Sequence, residues 1–144
     1  MVDFLVIGPE SVIGYKDIFP LIKEKRIRLG YKRDRGHMFF TYLSGDLVDV
    51  RSIRWFQNLD YVDVDKIILS RKYDEKDYRK FDNTDFINID DYRDIPSDYD
   101  GVMGVPITFI RKWNTNQFDV VGIMKEDCII EGDHKFTRIL IKKK

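Results

Sequence analysis

The stretch Phe4-Leu5-Val6-Ile7-Gly8-Pro9, followed by Tyr15-Lys16-Asp17-Ile18-Phe19-Pro20-Leu21-Ile22, decides how the chain folds on paper. Four consecutive apolar residues closed by a Gly-Pro pair suit a buried strand of the kind that parallel sheets use. Beyond the turn, Tyr15, Ile18, Phe19 and Ile22 recur at helical spacing, with Lys16, Asp17, Lys23 and Glu24 between them. Pro20 falls inside that pattern. It must either kink the helix or begin its second part, because it cannot donate a hydrogen bond to the preceding turn. Strand, loop and helix in this order make half of a βαβ unit and predict an α/β fold.

Further along, strand-like segments outnumber helical ones. Lys32-Arg33-Asp34-Arg35-Gly36 reads as a polar turn leading into a strand at Met38-Phe39-Phe40-Thr41-Tyr42, with Gly45-Asp46 as the next turn. Arg54-Trp55-Phe56-Gln57-Asn58-Leu59 and Lys66-Ile67-Ile68-Leu69 are candidate strands. Alternation along the first should put one ring of the Trp55-Phe56 pair in the core. From Tyr73 to Asp100 the composition turns acidic and tyrosine-rich with little periodicity, which suits an ordered loop wrapping the core around a short strand at Phe86-Ile87-Asn88-Ile89. Phe118-Asp119-Val120-Val121-Gly122-Ile123 and Phe136-Thr137-Arg138-Ile139-Leu140-Ile141 are expected to pair as a hairpin across Glu131-Gly132-Asp133.

A chain of 144 residues suits one domain spanning 1–144. No apolar run approaches the roughly 18–20 residues that span a bilayer, so no membrane partner is expected. The first residues lack the basic flank and cleavage site of a signal peptide. Cys128, the one cysteine, has no partner for an internal disulfide, and a cytoplasmic location is expected. Formal charge sums to zero, which argues against nonspecific coating of nucleic acid. It is unevenly spread: residues 16–35 carry eight Lys/Arg and three acids, while residues 74–100 carry ten acids and four bases. The last ten residues hold five bases and no acid. Separated charge of this kind still lets a basic face meet phosphate.

The residue patterns of common chemistries are missing. Zinc needs clustered Cys and His, whereas Cys128, His37 and His134 are too few and too scattered for four ligands. Asp90, Asp91, Asp94, Asp98 and Asp100 do not follow the calcium-loop spacing. Nothing supports a nucleophile–histidine–acid triad. Gly8-Pro9-Glu10-Ser11 after a strand has the form of a phosphate turn, but Pro9 removes one N–H from any anion nest.

Lys80-Phe81-Asp82-Asn83-Thr84-Asp85-Phe86-Ile87-Asn88-Ile89, Asp94-Ile95-Pro96-Ser97-Asp98-Tyr99-Asp100 and Gly101-Val102-Met103-Gly104-Val105-Pro106-Ile107-Thr108-Phe109 together closely resemble the C-terminal half of the EcoRI-type adenine-specific DNA methyltransferase family. Three further segments agree in order: the strand and helix at the start, Trp55-Phe56-Gln57-Asn58-Leu59-Asp60, and Arg138-Ile139-Leu140-Ile141. The resemblance implies the C-terminal half of a Rossmann-like methyltransferase sheet, strand-rich, with appended β-hairpin elements. It also implies a restriction–modification role and S-adenosylmethionine as the family's cofactor.

Adenine-N6 methylation faces a poor nucleophile, since the amino lone pair is delocalised into the ring. Such enzymes flip the base out and accept its amino hydrogens on an Asp/Asn-Pro-Pro-Tyr/Phe tetrapeptide. Here Pro9, Pro20, Pro96 and Pro106 are all isolated, so these residues hold no such tetrapeptide. A Gly-rich cofactor turn with an acid for the ribose is also absent from them. No catalytic or cofactor-binding residue is therefore assigned, and no cofactor is expected on this chain alone. Two departures from the family pattern stand out. Ile7-Gly8-Pro9-Glu10-Ser11 replaces an Ile-Gly-Asn-x-Asn form, and Arg111-Lys112-Trp113-Asn114-Thr115 replaces an Asp-Lys-Tyr-Asn-Pro form.

The candidate DNA contacts are Arg26, Arg28, Lys32, Arg33 and Arg35, then Arg111 and Lys112, whose cations suit phosphate. Trp113 or Asn114 would stack on a base or touch its edge. The resemblance places Phe4–Ile7 beside the strand that carries the tetrapeptide. An apolar strand without that neighbour presents an edge for a separate N-terminal half or for self-association. Three outcomes follow: a methyltransferase fragment that needs the other half for catalysis, a non-catalytic DNA-binding module, or a remnant without function.

Overall fold

The strand at the start of the chain forms, but its neighbours differ from those its sequence suggests. In the computed structural model, which describes residues 2–30, 37–60 and 63–144, β1 (Leu5–Pro9) lies at the edge of an antiparallel sheet. Its partner is β5 (Ile53–Gln57), with Leu5 opposite Gln57 and Pro9 opposite Ile53, and β2 (Arg28–Leu29) flanks β5 on the other side. The expectation of a doubly buried, parallel-type strand is thus corrected: Leu5, Val6 and Ile7 are 53%, 50% and 41% exposed. An unbroken apolar run favours extended backbone and burial, but it carries no information about which distant segment will pair with it.

The chain divides into two compact units, Met1–Tyr61 and Val62–Lys144. In the first, a 3-10 helix (Glu10–Gly14) and α1 (Phe19–Lys23) bury Ile13, Phe19 and Ile22. The helix expected over Tyr15–Ile22 is therefore shorter and later. Pro20 sits in the first turn of α1, where its missing N–H is no loss, so it begins the helix rather than kinking it. On β5 the alternation holds, with Phe56 buried and Trp55 half-buried. Asn58, just past that strand, accepts from the Phe4 N–H at 2.8 Å and donates to the Val2 carbonyl at 3.0 Å, tying down the approach to β1. β3 (Met38–Thr41) forms where a strand is expected and turns through Gly45 at φ +90°, and it pairs as a hairpin with β4 (Leu47–Val50), a strand the sequence reading did not name.

The second unit is a mixed four-stranded sheet with order β6-β7-β11-β8. It comprises β6 (Ile87–Asn88), β7 (Met103–Pro106), β8 (Phe118–Met124) and β11 (Arg138–Lys143). β6 runs parallel to β7, whereas β11 is antiparallel to both its neighbours. Ile87, Met103, Val105, Phe118, Ile139 and Ile141 are fully buried and form its core. β8 and β11 pair as expected, although β11 begins at Arg138 and leaves Phe136 89% exposed. Between them β9 (Ile129–Ile130) and β10 (Asp133–His134) close a small hairpin at Glu131-Gly132, both at positive φ as a two-residue turn requires. Gly104 on β7 is held to glycine by packing: an added Cβ would lie 2.7 Å from the Phe81 ring.

Lys66–Leu69 is not a strand. The Gln117 side chain takes the place of a neighbour there, accepting from the Ile67 N–H at 2.8 Å and donating to its carbonyl at 2.7 Å. The aperiodic stretch from Tyr73 to Asp100 is ordered and buries Tyr78, Phe81, Ile87, Ile89 and Ile95. The molecule is strand-rich with mixed sheets and few, short helices. Among the described residues no helix is long and apolar enough to cross a membrane.

Candidate nucleic-acid interface

Cations can position a phosphate only if they reach solvent and are not locked to acids. In the second unit, the 3-10 helix Ile107–Lys112 follows β7 directly, because Pro106 ends the strand and cannot donate onward. That helix ends in Arg111 and Lys112, both exposed. Arg111 Nε donates to the Thr108 carbonyl at 3.2 Å, and Lys112 Nζ lies 5.7 Å from the centre of the Tyr92 ring. Such a cation–ring contact steers a lysine without neutralising it.

Trp113 and Asn114 continue from this helix but turn inward. The Trp113 indole N–H donates to the Phe118 carbonyl at 2.8 Å. Asn114 is buried; its amide donates to the Val64 carbonyl and its oxygen accepts from the Asn116 N–H at 2.9 Å. Thr115 donates to the Asp63 carboxylate beside it. Asn114 therefore holds the loop that carries Arg111 and Lys112, while its amide faces the protein.

In the first unit, Arg26 is exposed, with Nη1 at 3.6 Å from Glu24, itself largely exposed. Arg28 is half-buried on β2, with Nε at 3.5 Å from the Lys25 carbonyl. Lys32, Arg33 and Arg35 lie outside the described residues. Gly8-Pro9-Glu10-Ser11 is no anion nest, since the Glu10 carboxylate is itself buried there and meets Arg54 Nε at 3.1 Å.

Charge that is segregated in sequence is interleaved in space. Acids of the 74–100 stretch pair with Arg71 (Asp94, 3.2 Å), Arg138 (Asp90, 2.8 Å) and Lys143 (Asp100, 3.7 Å), and Lys144 meets Asp119 at 3.2 Å. The basic C-terminus is thus largely a partner for the protein's own carboxylates. Arg138, buried and bonded to Asn88, Asp90 and the Phe136 carbonyl, was invisible in the sequence as a structural residue. The one available signal was an arginine inside an otherwise apolar strand. Within the acidic stretch, Asp91 accepts two hydrogen bonds from the Arg93 side chain and one from its N–H. These hold its carboxyl down at about 2.

Chemistry other than contact finds little here. Among the described residues no group of three His, Cys, Asp or Glu could hold a metal ion. An apolar cavity of about 280 Å³ in the first unit is lined by Phe4, Val6, Gly8, Val12, Ile18, Ile27 and Phe56. S-adenosylmethionine carries a zwitterion and a ribose, which need charged and hydroxyl-binding partners that this lining does not supply. The cavity does not fit that cofactor.

A family model described as adenine-specific methyltransferase EcoRI matches residues 2–144. The Type II methyltransferase M.EcoRI of Escherichia coli is 38% identical over 163 aligned positions, which take in 98% of this chain and 50% of that protein. M.MpnI of Mycoplasma pneumoniae is 30% identical over 145 positions, 88% of this chain and 44% of its own length. M.MgeORF184P of Mycoplasma genitalium is 26% identical over 179 positions, 97% and 56% respectively. The chain spans about half the length of these relatives. No solved structure matches it.

Proposed function

The chain belongs to the EcoRI family of adenine-specific methyltransferases, and from that premise we propose that it is the C-terminal half of a site-specific adenine-N6 DNA methyltransferase of restriction–modification type. It supplies scaffold and DNA contacts, and the methyl-transfer centre comes from the other half. The observation that carries this reading is a family match along almost the entire chain, combined with four prolines that are all isolated, so that these residues hold no Asp/Asn-Pro-Pro-Tyr/Phe. Its two units act as one partial methyltransferase domain, the strands being later members of a Rossmann-like sheet with appended hairpins. S-adenosylmethionine binds on the other half, and the complex works in the cytoplasm.

DNA is the substrate of the assembled enzyme. Arg111 and Lys112 on one unit, and Arg26, Arg28, Lys32, Arg33 and Arg35 on the other, position phosphates. Trp113, next in sequence, offers its half-buried ring as a surface on which a base stacks. Asn114 sets the loop geometry. The test is transfer of labelled methyl from S-adenosylmethionine to duplex DNA, by the chain alone and by the chain mixed with the missing half of M.EcoRI. Transfer by the mixture and none by the chain alone is expected. Transfer by the chain alone, or no transfer by a well-folded mixture, removes the split-enzyme reading.

A second reading, a non-catalytic DNA-binding module, is favoured by the exposed cations at the end of the 107–112 helix. It predicts DNA binding by the chain alone that weakens steeply with salt and falls when Arg33 and Arg35 become Ala. Salt-insensitive or absent binding rejects it. A remnant without function would show neither a cooperative thermal transition nor specific DNA binding.

A further inference from the structure

Strands at sheet edges are usually guarded by charge, proline or a covering element, because their unpaired N–H and C=O groups recruit other chains. β1 is an edge strand in the order β1-β5-β2; Pro9 guards only its last position, and Leu5-Val6-Ile7-Gly8 carries neither charge nor proline. Its side chains alternate between faces, so Val6 lies with its cross-strand partner Phe56 on one face and Leu5 and Ile7 lie on the other. All three are between 41% and 53% exposed. Among the described residues nothing pairs with the outer edge of β1, so this apolar strand has the composition of an interior strand without the surroundings of one.

The face that carries Val6 and Phe56 also holds the apolar cavity of about 280 Å³, walled by Val12, Ile18 and Ile27 on its far side. A cavity with such walls gains nothing from a polar ligand and is filled favourably by aliphatic or aromatic side chains. We infer that β1 and this cavity form the docking surface for the half of the family fold lying outside these 144 residues. One strand of that half pairs on the free edge of β1, and apolar side chains of its flanking elements cover both faces and enter the cavity. The inference rests on the split-enzyme reading and says where and how the halves join.

A second copy of this chain is the other occupant to weigh. Pairing β1 with β1 of a copy would satisfy the edge and leave the faces bare. The one α-helix among the described residues, α1, is five residues long and already spends Phe19 and Ile22 on its own unit. The relatives, by contrast, carry about as many residues again as this chain matches, being covered to 50%, 56% and 44% of their lengths. That is ample for a strand with helices around it.

The test coexpresses the 144-residue chain with the part of M.EcoRI outside the matched half, and reads complex formation by light scattering and amide exchange over residues 5–9. Neither DNA nor S-adenosylmethionine is needed, so failure to dock and failure to methylate are separate results. A 1:1 complex that slows exchange in β1 is expected. Val6→Lys, at a position 50% exposed and with its folding checked by a thermal melt, should weaken it at least tenfold, and so should Leu5→Lys on the opposite face. Ile68→Lys, 88% exposed on the other unit, should leave it unchanged. The proposal is overturned if no complex forms, if it tolerates Val6→Lys, or if the chain alone forms a homodimer that Val6→Lys dissolves.

Discussion

Arg54 and Glu10 form a buried ion pair, Nε to Oε1 at 3.1 Å, with side chains 2% and 10% exposed. Arg54 sits on β5 opposite Gly8, and Glu10 begins the 3-10 helix that leaves β1, so the pair fixes the exit of the strand. Arg54 Nη2 has no hydrogen-bond partner among the described residues, so the pair is less than fully satisfied.

Removing one partner of such a pair leaves a charge in a medium that solvates it poorly, at about 3–5 kcal/mol, whereas replacing both by apolar groups is often neutral. Arg54→Met should therefore lower unfolding free energy by about that amount in urea titration. Arg54→Met with Glu10→Leu should recover most of the loss. A single variant as stable as the parent would show that the pair does not hold the strand exit.

Asn114 and Lys112 are close in sequence and opposite in role. Asn114→Ala orphans the Val64 carbonyl and the Asn116 N–H and should cost about 1–3 kcal/mol of stability. Lys112→Ala should stay within about 0.5 kcal/mol of the parent. In the assembled enzyme it should also reduce the salt slope of DNA binding by about 0.9, the share of one phosphate. Thermal melts with binding isotherms at several salt concentrations check both. A stable Asn114→Ala, or an unchanged slope for Lys112→Ala, contradicts these assignments.

The Asp91–Arg93 contact makes a prediction about acid stability. The Arg93 guanidinium and N–H hold the Asp91 carboxyl at about 2, below its ordinary 3.8. A carboxyl depressed in the folded state stabilises fully above its unfolded value, and that contribution fades as pH falls from about 4 towards 2. Both side chains are well exposed, at 74% for Arg93 and 36% for Asp91, so solvent screening limits the effect to about 1 kcal/mol or less. Asp91→Asn should flatten stability over that interval and change little at pH 7. An identical pH profile in the variant would contradict the pairing.

Several elements were legible in the residues because local chemistry settles them. Glu131-Gly132 must turn a tight hairpin, one ring of the Trp55-Phe56 pair must alternate inward (the fold selects Phe56), and Pro20 can occupy only a first helical turn or a kink. In the 111–114 segment, exposure followed residue type for the cations and not for the amide. Arg111 and Lys112 reach solvent as their type suggests, but the same segment hides Asn114, because an amide serves buried carbonyls as well as it serves bases. Ile67 reads as strand because its apolar neighbours do, yet a distant glutamine side chain supplies its hydrogen bonds.

Sequence alone determined the family, since colinear segments over nearly the full chain identify ancestry without any geometry, and it determined that these residues contain no adenine-binding tetrapeptide. Tertiary structure alone decided which strand β1 pairs with, that its apolar side chains stay half exposed, and that Arg138 and Lys143 of the basic C-terminus pair with Asp90 and Asp100 of the acidic stretch. The division has a physical cause. Turns, caps and alternation depend on a few adjacent residues, whereas strand pairing and ion pairing join groups some fifty residues apart, and nothing local records their partners.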